Sequence, residues 1–185
     1  PVSGTDVARA FDADTEATMA RSLAYKGPKT IGDTTDFYSP TNTITDLKAL
    51  TGETIYYGTT KGEEIADYSY NYSVKRVSGV YNDSVAKTTS VFYYNDLRAN
   101  AGATSEDAMT RSETYKTTDV TAINKTTAPN LQSETFFKGG KGDEISDYSY
   151  NYQVGTLTVK STSVFFYTPV SGTEVARAID ADTEA

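Results

Sequence analysis

The segment Ser146 to Val154 alternates without a break, with Tyr148, Tyr150, Tyr152 and Val154 at one set of positions and Asp147, Ser149, Asn151 and Gln153 at the other. Successive side chains of an extended chain point to opposite faces, so this segment predicts a strand with one aromatic face and one wet face. Ser112 to Tyr115 and Thr156 to Tyr167 read the same way. Aromatic-centred strands are expected to end near Tyr25, Tyr38, Tyr57, Tyr72, Tyr94, Tyr115, Phe137, Tyr152 and Tyr167, spaced 13 to 22 residues apart, the spacing of a strand plus its turn. The breakers between them fit that reading: KGPK from Lys26, TTKG from Thr59, YND from Tyr81 and KGGKG from Lys138. One stretch, Asp6 to Ala20, has helical spacing at Val7, Ala10 and Phe11, with Asp6 placed to cap. Asp12 and Asp14 interrupt its apolar stripe, which leaves a short helix or a loop.

The pattern repeats on a larger scale. PVSGTDVARAFDADTEA, residues 1–17, returns as PVSGTEVARAIDADTEA, residues 169–185, at an offset of 168. Lys61 to Tyr72 matches Lys141 to Tyr152 at 10 of 12 positions, and Lys87 to Tyr94 resembles Lys160 to Tyr167. Met19, Arg21, Ser22 and Tyr25 match Met109, Arg111, Ser112 and Tyr115. The offsets fall from 90 to 80 to 73, so the unit reads as two halves of about 84 residues whose loops differ in length. The divisions are 1–17 as the start of a unit, 18–100 and 101–168 as its halves, and 169–185 as the start of the next unit. A chain that returns to its opening words is expected to be a piece of a longer tandem array. Short units of this kind bury a continuous core only by stacking, which predicts an all-β tandem repeat, β-solenoid-like or of stacked antiparallel strands, drawn out as a fibre.

Composition narrows the chemistry. The chain has 30 threonines and 15 tyrosines, residues that suit a pleated, half-buried surface. It has no cysteine and no histidine, which removes disulfides, thiolate metal sites and imidazole catalysis. A formal charge of −8 lacks the basic patch that nucleic acid requires, and no apolar run approaches the ~18 residues of a membrane span. An enzyme is not expected, nor a cofactor.

Candidate sites are few. Asp12, Asp14 and Glu16, repeated as Asp180, Asp182 and Glu184, could offer carboxylate oxygens to calcium, but the glycine an EF-hand loop needs is missing, and a solvated, capping acidic turn is the alternative. The rows Tyr68, Tyr70, Tyr72 and Tyr148, Tyr150, Tyr152 read as structural ladders, with a platform for sugar rings as the other possibility. Leaving such rings open would forfeit roughly 1.5–3 kcal/mol apiece, so the Tyr148 face is expected to be buried and its opposite face wet. Glu63, Glu64, Asp143 and Glu144 form an acidic pair in each half, but they sit in lysine- and glycine-rich turns with nothing to desolvate them. Sequons occur at Asn71, Asn82 and Asn124, close to the number chance gives in a chain this rich in Asn and Thr; threonine hydroxyls on exposed strand faces would suit O-linked sugar, with threonine as simply a good strand residue as the alternative.

The words SETFFKGGKGDEISDYSYNY, KSTSVFFY and MTRSETY resemble giant tandem-repeat proteins encoded by uncultivated bacteria, whose repeats are similar to tyrosine-aspartate (YD, or Rhs-type) repeats. Tyr81-Asn82-Asp83 and Tyr94-Asn95-Asp96 approach the YD pair, without the glycine that usually follows. The resemblance implies an extracellular or cell-surface β-rich array. Its expected partners are identical units along a fibre, with glycans as a second class. A carbohydrate-binding adhesin stalk or a YD-type shell enclosing a toxin is the alternative function.

Overall fold

The computed structural model describes residues 13, 15–31, 37–38, 43–126, 129–168 and 175–179. Among them the chain is all-β: twelve strands stand against two three-residue 3-10 turns, Ala99–Ala101 and Val120–Ala122. The long strands are β1 (Arg21–Tyr25), β2 (Leu50–Tyr57), β3 (Ile65–Ser73), β6 (Val85–Tyr94), β7 (Met109–Tyr115), β8 (Leu131–Lys138), β9 (Ile145–Tyr152) and β10 (Val159–Val164). They form one open antiparallel sheet in the order β1-β2-β3-β6-β7-β8-β9-β10. Apart from a small hairpin, β4 (Arg76–Val77) with β5 (Val80–Tyr81), inserted between β3 and β6, each of these eight strands pairs with the next of them along the chain. The last pair, β11 (Phe166–Tyr167) and β12 (Ala176–Arg177), lies beyond β10.

Most expected strand ends fall where the aromatics place them, at Tyr25, Tyr57, Tyr94, Tyr115, Tyr152 and Tyr167. Tyr38 is different. It makes an isolated bridge with Ile44 and belongs to the long connection between β1 and β2. The proposed helix at Asp6 to Ala20 falls largely outside the described residues, and Ala17 to Ala20 is not helical.

Corresponding strands recur in both halves. Pairing Thr54 with Ser69 and Ile55 with Tyr68 has its counterpart in Thr135 with Ser149 and Phe136 with Tyr148. In both places the ladder then skips one residue, Asp67 in β3 and Asp147 in β9, which becomes the extra member of a β-bulge. The turns leading into β3 and β9 are also alike. Gly58 has φ 157° and its missing Cβ would lie 2.9 Å from Glu64 Cα; Gly139 has φ 115° and its Cβ would overlap the Asp143 carbonyl. Only glycine fits either turn.

The two faces of the sheet are unequal. Cross-strand partners share a face, so the registers place Glu53, Tyr70, Thr89, Tyr115, Val91, Glu113, Glu134 and Tyr150 on one side. The core sits here, with Val91, Tyr115 and Leu131 buried and Tyr68, Tyr93, Tyr152 and Ile123 packed around them. Burying such side chains contributes roughly 1.5–3 kcal/mol each. Cover comes from the connections: Phe37 lies 5.8 Å from the Tyr25 ring, and Ile123 comes from the loop before β8.

The other face carries a row of small polar residues across all eight strands, Ser22, Thr54, Ser69, Ser90, Thr114, Ser133, Asn151 and Ser161. They bond to one another, Thr54 to Ser69 at 2.9 Å, Ser90 to Thr114 at 3.1 Å and Asn151 Nδ2 to Ser161 at 3.2 Å. Asn71, the first sequon, donates to both Thr88 and Ser90. These contacts satisfy hydroxyls and amides within the face itself, so no apolar layer is needed over it.

Candidate functional site

The tyrosine rows lie on the core face. Tyr148 and Tyr150 meet edge to face at 5.2 Å between centroids, Tyr150 and Tyr152 at 6.3 Å, and Phe136 stacks on Tyr148 at 4.6 Å. Tyr68 and Tyr70 repeat the edge contact at 5.3 Å. Such geometries follow from the quadrupole of the ring, whose positive edge meets a negative face. The rings are half-buried, not fully covered.

The expectation of a wet opposite side fails at its first residue. Asp67 and Asp147 are 2% and 1% exposed. Strict alternation puts Asp147 in water; the bulge removes it from the ladder and turns it inward, where an arginine meets it. Arg98 Nε donates to Asp67 Oδ1 at 3.1 Å and its Nη2 to Oδ2 at 2.5 Å. Arg177 holds Asp147 through the same atoms at 3.1 and 2.6 Å. Two parallel bonds from one guanidinium satisfy a carboxylate that burial would otherwise penalise. A tyrosine completes each joint: Tyr94 donates to the Ala66 carbonyl and Tyr167 to that of Ser146.

The route to the arginine also recurs. Tyr94 bridges to Leu97 across Asn95 and Asp96, whose φ angles of 46° and 64° give the left-handed pair that a tight hairpin requires. Tyr167 pairs with Ala176 in the same way, across a longer connection that begins the second copy of the 17-residue repeat. Each half therefore closes on an Asp, Arg and Tyr joint. Neither arginine stands out in the sequence by itself; the signal is that one follows each of the words SVFYY and SVFFY, across loops of different length.

A second acidic cluster lies on the core face, where Glu113 stands directly opposite Glu134. Two carboxylates in register repel each other, and Lys125 lies between them, 3.0 Å from Glu113 and bonded to Glu134. Glu113 also accepts from Tyr93 at 2.8 Å and from Tyr115, and Glu134 accepts from Tyr152. Burial alone would raise the Glu113 carboxyl, but the bonds from Tyr115, Lys125 and Tyr93 outweigh it and hold the group below the usual glutamate range. Burial and the neighbouring Glu113 charge push the Tyr93 hydroxyl up to about 12. In the first half Glu53 takes the place of Glu134, accepting from Arg21 at 2.9 Å and Tyr38 at 3.0 Å. The tyrosine hydroxyls thus serve the buried carboxylates.

The turn glutamates tie strands together. Glu64 accepts from the backbone of Met19 and Gly62, each at 2.9 Å, and Glu144 accepts from Met109 at 3.0 Å and Gly142 at 2.9 Å. Their acidic neighbours Glu63 and Asp143 do not join them in a paired acid–base site among the described contacts. Of the calcium candidates, only Glu16 belongs to the described residues; Asp12, Asp14, Asp180, Asp182 and Glu184 lie outside them, and no position is described in both copies of the 17-residue repeat. Among the described residues no three acidic side chains gather in a way that could hold a metal, and no helix is long and apolar enough to cross a membrane. A concavity of about 640 Å³ is lined by Gln132, Asn151, Tyr152, Gln153, Val154, Lys160 and Ser161, without a carboxylate.

Among the described residues the sheet ends at β10, and this margin differs from the middle. Val91 in β6 is 0% exposed under β7, while its counterpart Val164 in β10 is 44% exposed. Phe166, the counterpart of Tyr93, is 60% exposed. No protein-family model, curated protein or solved structure matches this chain.

Proposed function

We propose that this chain is a structural segment of an extracellular filament or surface fibre, in which half-repeats of about 84 residues continue one β-sheet from unit to unit. The observation that carries the reading is the recurrence of one joint, Asp67 with Arg98 and Tyr94, then Asp147 with Arg177 and Tyr167. The second arginine lies inside the 17-residue word that also opens the chain. The first half closes with its own Arg98, while the second is closed by an arginine from the start of the next unit, which is what an array requires, because each unit meets the same neighbours.

The chemistry is in keeping with a structural role. The buried carboxylates are engaged by arginine, lysine and tyrosine, and the polar face bonds within itself. Chains carrying one, two and four copies of the 168-residue period test the proposal by solution scattering and negative-stain imaging. The longest dimension should grow in proportion to copy number at constant width. Particles that stay compact, or that close into a hollow shell, would overturn it.

A further inference from the structure

Resting on that reading, we propose that the outer edge of β10 receives β1 of a second copy of this chain, antiparallel and in the register that β6 and β7 already show. β6 and β10 are counterparts at an offset of 73, and β7 and β1 at an offset of 90. The middle of the sheet is therefore a template for a margin that has no partner among the described residues.

The template fixes each pair. Thr89 with Tyr115, Ser90 with Thr114, Val91 with Glu113 and Tyr93 with Arg111 are the observed partners. Transferred by the two offsets, they become Thr162 with Tyr25, Ser163 with Ala24, Val164 with Leu23 and Phe166 with Arg21 of the second copy. The transferred pairs are chemically apt. Val164 and Leu23 bring two apolar side chains together on the core face, where the template sets valine against glutamate. Arg21 would lie over Phe166 as Arg111 lies over the Tyr93 ring, 4.3 Å from its centroid.

The edge is accessible. Tyr167 pairs with Ala176 as Tyr94 does with Leu97, and Arg177 then reaches Asp147 of β9 as Arg98 reaches Asp67 of β3. β12 accordingly lies on the β9 side, and among the described residues none pairs with the far side of β10. All six residues of β10 are exposed, and Lys160 is its one charge. An edge built to stay single is usually guarded by several charges, a proline or a covering loop; among the described residues this one has the single lysine. The strand directions agree as well, because eight antiparallel strands bring the ninth back to the direction of the first.

The test uses a chain of two copies, residues 1–168 followed by residues 1–185, in which the absence of native cysteine makes any introduced pair unambiguous. Directly opposed residues of an antiparallel ladder have Cα atoms about 4.5–5.5 Å apart, within the reach of a disulfide. V164C in the first copy with L23C in the second should oxidise to an intramolecular disulfide, read by intact mass and by protection from alkylation. S163C with A24C should do the same on the polar face, so the result does not depend on one site tolerating change. The slipped pair V164C with S22C places its thiols on opposite faces and should form at least tenfold less. If both matched pairs stay reduced, or the slipped pair forms as readily, the register is overturned. Should the two-copy chain still be elongated in scattering, the array reading survives without this joint; a compact particle would remove both.

Discussion

Arg98 and Asp67 lie 31 residues apart in the chain, yet they meet through two parallel hydrogen bonds at the bulge of β3, with the carboxylate side chain only 3% exposed. Removing one partner of such a pair leaves a buried charge without compensation, at a typical cost of about 3–5 kcal/mol. Arg98→Ala should therefore lower stability by about 3 kcal/mol in urea unfolding. Arg98→Lys keeps the charge but loses the fork, and should recover only some of that. A loss below about 0.5 kcal/mol for the alanine variant would show that the joint does not hold the fold.

The core-face cluster predicts a coupled response. Lys125→Ala leaves Glu113 and Glu134 facing each other and should cost about 2 kcal/mol, while adding Glu134→Gln should restore some of that loss by removing one of the opposed charges. A double-mutant cycle measures the coupling. Strict additivity would mean that Lys125 does not bridge the two.

Acid should weaken the fold through Glu113. Its folded carboxyl titrates lower than its unfolded one, so its contribution is fully present above the unfolded value, begins to fall below about pH 4.3, and is lost as pH drops through the folded value. Glu113→Gln should flatten this acid limb of a stability–pH curve. An unchanged slope would assign acid lability elsewhere.

Alkali should act through the tyrosines. Burial, with a nearby carboxylate or phenol in each case, pushes Tyr25, Tyr68, Tyr72, Tyr93 and Tyr94 up to about 12. Below about pH 10 both folded and unfolded chains keep these protons, and the full contribution is present. Above it the unfolded chain ionises first, so stability declines and the contribution is gone once pH passes through 12. Tyrosinate absorbance of the folded protein should accordingly rise in two stages. A single stage near pH 10 would contradict the buried hydroxyl contacts.

Gly139→Ala tests the turn before β9. The new methyl would overlap the Asp143 carbonyl at a φ of 115°, and the expected loss is about 2 kcal/mol in urea unfolding. Gly140→Ala meets nothing within 4 Å and should be close to neutral, so the comparison isolates the steric cause.

Most of the long strands are legible because they are short, end at or next to an aromatic residue and are bounded by turn residues, as in KGGKGDEISDYSYNY. The covered side of β9 can also be read, since alternation sorts Tyr148, Tyr150 and Tyr152 together. Asp147 cannot. A bulge shifts the alternation by one residue, and nothing in SDYSYNY marks where the ladder will skip. Glu113 and Glu134 are equally hidden, because their opposition depends on the register between β7 and β8 rather than on either strand alone. The arginines sit outside the long strands, where period carries no information; only comparison of the two halves singles them out.

The open meander also determines how the molecule bears load. A pull transmitted along the polypeptide enters at β1 and leaves at β10, crossing the strands rather than running along them. Inter-strand hydrogen bonds lie in that same direction, so the seams between neighbouring strands are stressed in series and open in succession, as a zip does, instead of resisting together in shear. Each opened seam releases a strand and its connection while the remaining seams hold. The Asp67 and Asp147 joints, which fasten a later segment back onto an earlier strand, then act as stops along the way, so extension under an applied force is expected to proceed in steps.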